Sequence, residues 1–421
     1  GGAKIIINMK QYRWRIVALL FFATTINYID RQVLGLLKPV ISEDIALSES
    51  EYGYIVSAFQ AAYAIGMLLA GRFIDKFGTR ISYTIAIAVW SLAGCLHAAA
   101  ANFFHLAAAR FMLGVGESAN FPAAIKTITE WFPKKERAFA TGLFNSGSNI
   151  GAIVAPLIVT YITVEYGWRE AFIVTGLLGF IWIIAWLVCY QVPAKAKGLS
   201  KEEFEYIHQD KDEEEAGDDG KKLPWWHLFK RRTTLGICLA RFVCDWPWWF
   251  FLFWTPDFLS KTFNMDLTAM QIPIVIIYIV SDFGGIVGGY ISSKMMRMGR
   301  TAAFSRFTGL LICALMVLPV SLIPSVSTLW IVIAIISLAC FAHQGWAANI
   351  YTVVSDNYPK SQVATMTALA GFSGSMGGII AASAVGLILE ITNSYYAVFT
   401  AAAMTYVIAW GLLRLFVRYR G

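Results

Sequence analysis

The chain has 421 residues, of which 57% are hydrophobic, 15% aromatic and 14% charged, and its formal net charge is +7. Soluble domains run about 45–50% apolar and about 25% charged, so this composition excludes a soluble enzyme, a disordered chain and a secreted disulfide module. It fits a polytopic membrane protein. The six cysteines all fall in apolar runs without CxxC spacing, as small buried apolar residues do.

A spanning helix needs about 20 mostly apolar residues. Taken in chain order, such runs predict six spans near 14–37, 52–74, 80–99, 103–127, 138–161 and 168–190. No small-residue cleavage site follows the first run, so it is expected to be a span rather than a leader. A polar stretch from Pro193 to Arg232 then gathers ten acids and nine bases. Six more spans follow near 233–258, 268–292, 302–323, 327–351, 363–387 and 395–417. The runs are too long and too uniformly apolar for barrel strands. The expectation is an all-α membrane protein of twelve transmembrane helices: a six-helix bundle over 10–190, a charged linker over 191–232, and a second bundle over 233–421.

With both ends and the linker on one side, that side carries 27 of the 34 lysines and arginines. The opposite side carries Lys38, Arg169 and Lys261. The positive-inside rule makes the first side cytoplasmic. The two halves also repeat. A shift of 226 residues lays "EWFPKKERAFATGLFNSGSNIG" on "DNYPKSQVATMTALAGFSGSMG", matching Pro133 to Pro359, Ala138 to Ala364 and Glu130 to Asp356. Parallel six-span repeats build many secondary transporters, with the substrate site between them near the midplane.

After span two stands Gly71-Arg72-Phe73-Ile74-Asp75-Lys76-Phe77-Gly78-Thr79-Arg80, the pattern G-x-x-x-D-K-x-G-x-R. Gly71 lets helices approach closely, and Asp75 is expected to favour the start of the next helix. Lys76, Gly78 and Arg80 complete a tight basic turn. This pattern resembles the signature loop of the major facilitator superfamily. A degenerate echo follows span eight at Gly289–Lys294 and Gly299-Arg300, with serine in place of aspartate. "NYIDR" (27–31), "RFMLGVGESANFP" (110–122) and "EWFPKKERA" (130–138) are similar to the anion:cation symporter family within that superfamily. "RFVCDWPWWFFLFWTPDFL" (241–259) and "FAHQGWAANIYTVVSD" (341–356) resemble its bacterial hexuronate branch. The resemblance implies proton symport of an organic acid, most closely glucuronate or galacturonate, across a bacterial inner membrane.

Charge inside a membrane is costly and marks function. Asp30 and Arg31 fall in span one, Arg110 and Glu117 in span four, Arg241 and Asp245 in span seven, Asp282 in span eight and His343 in span ten. Arg110 and Glu117 share a helical face two turns apart, with Gly114 between them leaving room for a ligand or a helix. Arginine offers a planar fork to a carboxylate, and a buried glutamate can carry a proton. Together they supply an anion clamp and a proton site, a role the resemblance also implies; the alternative is a structural ion pair. Asp30 and Arg31 point about 100° apart. Arg31 is assigned to the substrate. Asp30 is assigned as a second proton site, or as a salt-bridge partner of Arg110.

Arg241 and Asp245, spaced i,i+4, can neutralise each other and are expected to be a structural pair. Asp282, beside Gly284-Gly285, is expected to be structural too. His343 is a pH sensor or a wall residue that meets a substrate hydroxyl. The aromatic run 246–254 is interrupted by Pro247, and Trp249 is chosen to cover a sugar's C–H face. Asn27, Tyr28, Gln60, Tyr63, Asn145, Ser148, Asn149, Gln344 and Ser373 offer polar groups for hydroxyls.

There is no Walker sequence, no HExxH, no GxSxG and no cofactor motif, so neither an enzyme nor a cofactor or metal is expected. The reading is a monomeric proton-coupled importer of a sugar-acid anion by alternating access. Its alternatives are a symporter for an aldonate, a dicarboxylate or an aromatic acid, and a membrane sensor that binds the acid without moving it.

Overall fold

The structure, a computed structural model, describes residues 5–47, 49–211, 224–265 and 267–419. Six linker acids (Asp212, Glu213, Glu214, Glu215, Asp218, Asp219), Lys221, Lys222 and the orientation bases Lys4 and Arg420 lie outside the described residues.

The regular structure of the described residues is all helical, because a helix satisfies its own backbone groups where no water can. The first half consists of Tyr12–Asp44, Glu49–Phe77, Thr79–Leu96, Phe103–Glu117 continuing as Asn120–Trp131, Lys134–Asn145 continuing as Gly147–Glu165, and Trp168–Cys189. The second consists of Arg232–Cys244 continuing as Trp246–Phe263, Leu267–Arg297, Ala302–Val317, Leu329–Asn357, Val363–Thr392 and Tyr396–Phe416. These are spans one to twelve. Among the described residues, eight helical segments are long and apolar enough to cross a membrane unaided. The described parts of spans one, two, four and seven are not among these eight. Spans one, four and seven are those that bury Asp30, Arg110, Glu117 and Arg241.

Two of the breaks have a local cause. Pro122 removes the amide that would bond the Ser118 carbonyl, and span four tightens there, with Ala119 N–H reaching the Gly116 carbonyl at 3.4 Å. Pro247 does the same beyond Asp245 in span seven, where the helix restarts at Trp246. Each break follows directly on a charged residue, so the kinks and the intramembrane charges coincide.

Two seams join the halves. Span two meets span eleven, and span eight meets the start of span five. The seams are related by the repeat. A Cβ on Gly71 would come within 2.6 Å of the Ala364 carbonyl, and one on Gly289 would collide with the carbonyl of Ala138, the repeat partner of Ala364. Both seams lie near the face that carries the linker, called here the linker side. At the turns beside them Gly78 and Gly299 hold φ of +83° and +91°, which a side chain would strain. Further bonds cross between the halves on this side: Arg306, fully buried, donates to the Lys134 carbonyl at 2.6 Å, and Arg137 donates to the Ser355 carbonyl at 3.3 Å.

The first described part of the linker, residues 193–211, docks on the first half, while Arg231 at its far end donates to the Asn357 carbonyl of the second half at 2.8 Å. Ser200 caps the short helix Lys201–Ile207. Glu203 accepts from the backbone N–H groups of Tyr12 and Arg13 at 2.9 and 3.0 Å and from Arg13 Nη1 at 3.2 Å. Asp210 accepts from the Lys134 N–H at 2.9 Å, at the start of span five.

Candidate functional site

A cavity of about 250 Å³ lies between the halves, just below the range of about 300–1,000 Å³ typical of drug-sized ligands. It suits a smaller molecule.

On the first half's wall the central group is Arg31. Its Nε donates to Glu117 Oε2 at 3.2 Å, and its Nη2 donates to Asn27 Oδ1 at 2.9 Å. The guanidinium carbon lies 4.5 Å from the Tyr28 ring centroid and 4.9 Å from that of Tyr63. These rings hold the cation by their faces. Arg31 is 18% exposed at its side chain and Glu117 is 0% exposed, so the arginine reaches the cavity while the glutamate stands behind it. The other glutamate oxygen, Oε1, is buried without a hydrogen-bond partner, as are both oxygens of Asp30.

Arg110 is placed differently from the expectation that it would meet the substrate. It is 3% exposed, is not among the residues lining the cavity, and donates through Nη1 to the Arg31 carbonyl at 3.0 Å. It supports the helix that presents Arg31. The room left by Gly114 is filled by span two: a Cβ there would come within 2.6 Å of the Phe59 carbonyl and 3.2 Å of the Tyr63 amide. That close approach brings Tyr63 onto the wall.

The second half supplies the facing wall. Arg241 and Asp245 both line it, with Nε 3.0 Å from Oδ1 and 2.8 Å from Oδ2. The Arg241 guanidinium lies 5.3 Å from the Tyr351 ring, which in turn stacks on Phe121 of the first half. His343 lines the cavity; its ring stacks on Trp248 at 5.0 Å, and its Nδ1 lies 2.5 Å from the Tyr406 hydroxyl. Trp249 lines it too and is 42% exposed.

Between the walls, Asn145 donates to Gln344 Oε1 at 2.7 Å and Asn149 donates to Ser281 at 2.9 Å, both across the halves. Ser148 joins them in the lining. Ser373 does not: its hydroxyl donates to the Leu369 carbonyl one turn back. Gln60 is exposed outside the lining, and Asp282 also stands apart from it, with Oδ1 lacking a partner. Sequence reasoning did not single out Trp248, Tyr351 or Tyr278, all of which face the cavity. Trp248 lay within the flagged aromatic run. Tyr351 lies within the segment 341–356.

The turn after span two also acts between the halves. Asp75 Oδ2 accepts from the N–H and hydroxyl of Thr365 at 2.9 and 2.6 Å, while Oδ1 accepts from Lys126 Nζ at 2.9 Å and from the Ala364 N–H at 3.4 Å. The helix start it serves is therefore that of span eleven in the other half, not the adjoining span three. Arg80 binds carbonyls at the end of span six, those of Tyr190 at 3.0 Å and Leu187 at 2.8 Å. Lys76 extends along Phe77, 5.2 Å from its ring.

The model of the Major Facilitator Superfamily matches residues 20–382. The chain is 32% identical over 384 residues to a hexuronate transporter of Escherichia coli, covering 91% of this chain and 89% of the relative. It is 34% identical over 283 residues to a galacturonate transporter of Dickeya chrysanthemi, covering 67% and 82%. Among solved structures, the proton:xylose symporter XylE superposes with a TM-score of 0.76 over 97% of this chain and 96% of that one, at 14% identity, a likeness of fold.

Proposed function

The chain belongs to the major facilitator superfamily, and on that premise we propose that it imports a sugar-acid anion, a hexuronate such as glucuronate or galacturonate, together with protons. The observation that carries the reading is Arg31: a cation on the cavity wall whose carboxylate partner, Glu117, is fully buried behind it. An incoming carboxylate competes with Glu117 for the same guanidinium. When Glu117 is ionised it holds Arg31 back. When it takes up a proton, Arg31 turns its fork to the substrate. Asp30, buried next in sequence to Arg31 without a partner for either oxygen, is the second proton site. The rings of Tyr28 and Tyr63 keep the guanidinium aimed in both states.

The direction of transport follows from charge. The lysine- and arginine-rich linker side is assigned to the cytoplasm of a bacterial cell. The seams at Gly71 and Gly289 close that side, and the proposal takes this form as the one that loads from outside. An anion entering alone moves against an inside-negative potential at about 2.3 kcal/mol per 100 mV, and one accompanying proton cancels that cost. Alternating access then consists of parting the linker-side seams while the far ends close over the cargo.

Uptake of labelled galacturonate into proteoliposomes, with and without an inward proton gradient, tests the reading. Accumulation that collapses when the gradient is dissipated is expected. Gradient-independent uptake would remove the proton from the mechanism, and binding without uptake would make the protein a sensor.

A further inference from the structure

Two arginines, Arg31 and Arg241, face one cavity from opposite halves. Taken alone, that arrangement would suit an acid with a carboxylate at each end. Asp245 changes the balance. It lines the same wall and engages Arg241 Nε with both oxygens, at 3.0 and 2.8 Å, so the second half presents a neutralised pair rather than a free cation.

The pair is fixed in place. Arg241 and Asp245 sit one turn apart on the helix that ends at the Pro247 kink, and the Asp245 N–H donates to the Arg241 carbonyl at 3.1 Å. Across from them, Gly374 of span eleven leaves the space that the Asp245 carboxylate fills; a Cβ at that position would collide with Oδ2. Polar groups of the second half that line the same cavity include the Tyr351 and Tyr278 hydroxyls, the His343 imidazole, the Gln344 amide and the Ser375 hydroxyl.

We propose that Arg241 and Asp245 are the specificity element of the second half: Asp245 accepts hydroxyl hydrogen bonds from the uncharged end of the sugar and repels a second carboxylate, so that the site takes polyhydroxy monocarboxylates and rejects aldarates. The inference rests on the sugar-acid reading above and adds the discrimination that reading lacks. Arg31 takes the single carboxylate at one end of the cavity. At the other end a hydroxyl can donate to Asp245, whereas a carboxylate has no proton to donate and meets a like charge. Excluding the wrong ligand by an unfavourable contact is a general route to specificity.

Galacturonate and galactarate differ in oxidation state at one terminal carbon, an aldehyde closed into the ring hemiacetal in the first and a carboxylate on an open chain in the second. The ring-to-chain difference is common to wild type and variants, so the change in ratio between them reads the contact at Asp245. Binding of both to the purified full-length protein, measured by calorimetry at neutral pH, gives a ratio of dissociation constants. The wild type is expected to favour galacturonate by on the order of tenfold, since a hydroxyl can donate to Asp245 and a carboxylate cannot, and that is the size of effect that one hydrogen bond to a charged group contributes. Asp245→Asn leaves Arg241 unopposed and is expected to shift the ratio at least about tenfold toward galactarate. Asp245→Glu keeps the charge and should keep the preference. If Asp245→Asn does not fold, the double variant Arg241→Gln/Asp245→Asn, which buries no unpaired charge, carries the test and should shift the ratio in the same direction. A wild type that binds both acids equally overturns the inference, as does an unchanged ratio in the folded variant. Failure of the wild type to bind either acid would instead overturn the sugar-acid reading.

Discussion

Glu117 Oε2 accepts a hydrogen bond from Arg31 Nε at 3.2 Å, while Oε1 of the same carboxyl is buried with no partner. One carboxyl thus uses half its capacity on the group proposed to bind the substrate and leaves the other half open. A group in that position can release Arg31 by changing its protonation, without any movement of its own helix.

Glu117→Gln keeps the shape and a weaker hydrogen bond to Arg31 but cannot exchange a proton. Accumulation driven by a pH gradient is expected to fall to the equilibration level. Counterflow exchange of internal for external substrate, which needs no net proton movement, should persist. Both are read in proteoliposomes with labelled galacturonate. Accumulation by the variant against a concentration gradient would show that Glu117 is not the proton carrier.

Arg31→Lys tests whether the planar fork matters, since it retains the charge. Lysine offers no bidentate face and stacks poorly between the Tyr28 and Tyr63 rings. Losing a charge-assisted hydrogen bond costs about 1.5–3 kcal/mol, which predicts a rise in the dissociation constant of about 10- to 100-fold. Calorimetry or thermal shift with galacturonate checks it. Affinity within threefold of the wild type would mean that charge alone holds the substrate.

Much of this site was visible in the residues because a charge in an apolar run stands out whatever its surroundings. Asp30, Arg31, Arg110 and Glu117 could be marked that way, and the parallel repeat was marked by Pro133 and Pro359. The faces those charges turn to were not visible. Helical periodicity relates a residue to others on its own helix, and it placed Arg110 and Glu117 on one face correctly. It does not say which neighbour that face meets. Span two covers Arg110 because Gly114 lets the Phe59–Tyr63 turn come close, a contact between residues some fifty positions apart. The same limit misdirected Asp75, whose motif suggests a partner on the adjoining helix but whose hydrogen bonds run to Thr365. It also hid the exposure of Arg241 and Asp245 to the cavity, because a pair that can satisfy itself gives no sign of facing a ligand.

Asp75→Asn is predicted to loosen the closed linker side. The change removes the negative charge from a buried pair with Lys126, whose side chain is 6% exposed, and weakens the cap on span eleven. Breaking a buried ion pair by removing one partner costs about 3–5 kcal/mol. Because Asp75 reaches span eleven only while the halves are together on this side, part of that cost falls on the closed form alone. Spin labels on the linker-side ends of spans two and eleven should report a longer distance in the variant than in the wild type. An unchanged distance distribution would confine Asp75 to a role within its own half.

Glu203→Ala should act on the linker without touching the cargo. Glu203 holds the backbone N–H groups of Tyr12 and Arg13 as well as the Arg13 side chain, and Arg13 has a second carboxylate in Glu136, 2.8 Å away. Arg13 therefore keeps a partner when Glu203 is removed, so the effect is the loss of the linker's attachment rather than an uncompensated buried charge. A loss of about 1–3 kcal/mol is expected for the hydrogen bonds to a charged group. It should appear as faster amide hydrogen exchange across residues 193–211 and at the start of span one. The ratio of galacturonate to galactarate affinity should stay where it was, since the cavity lies elsewhere. Exchange protected to the wild-type level would show that Tyr206, whose ring lies 4.7 Å from the Arg13 guanidinium, holds the short helix by itself.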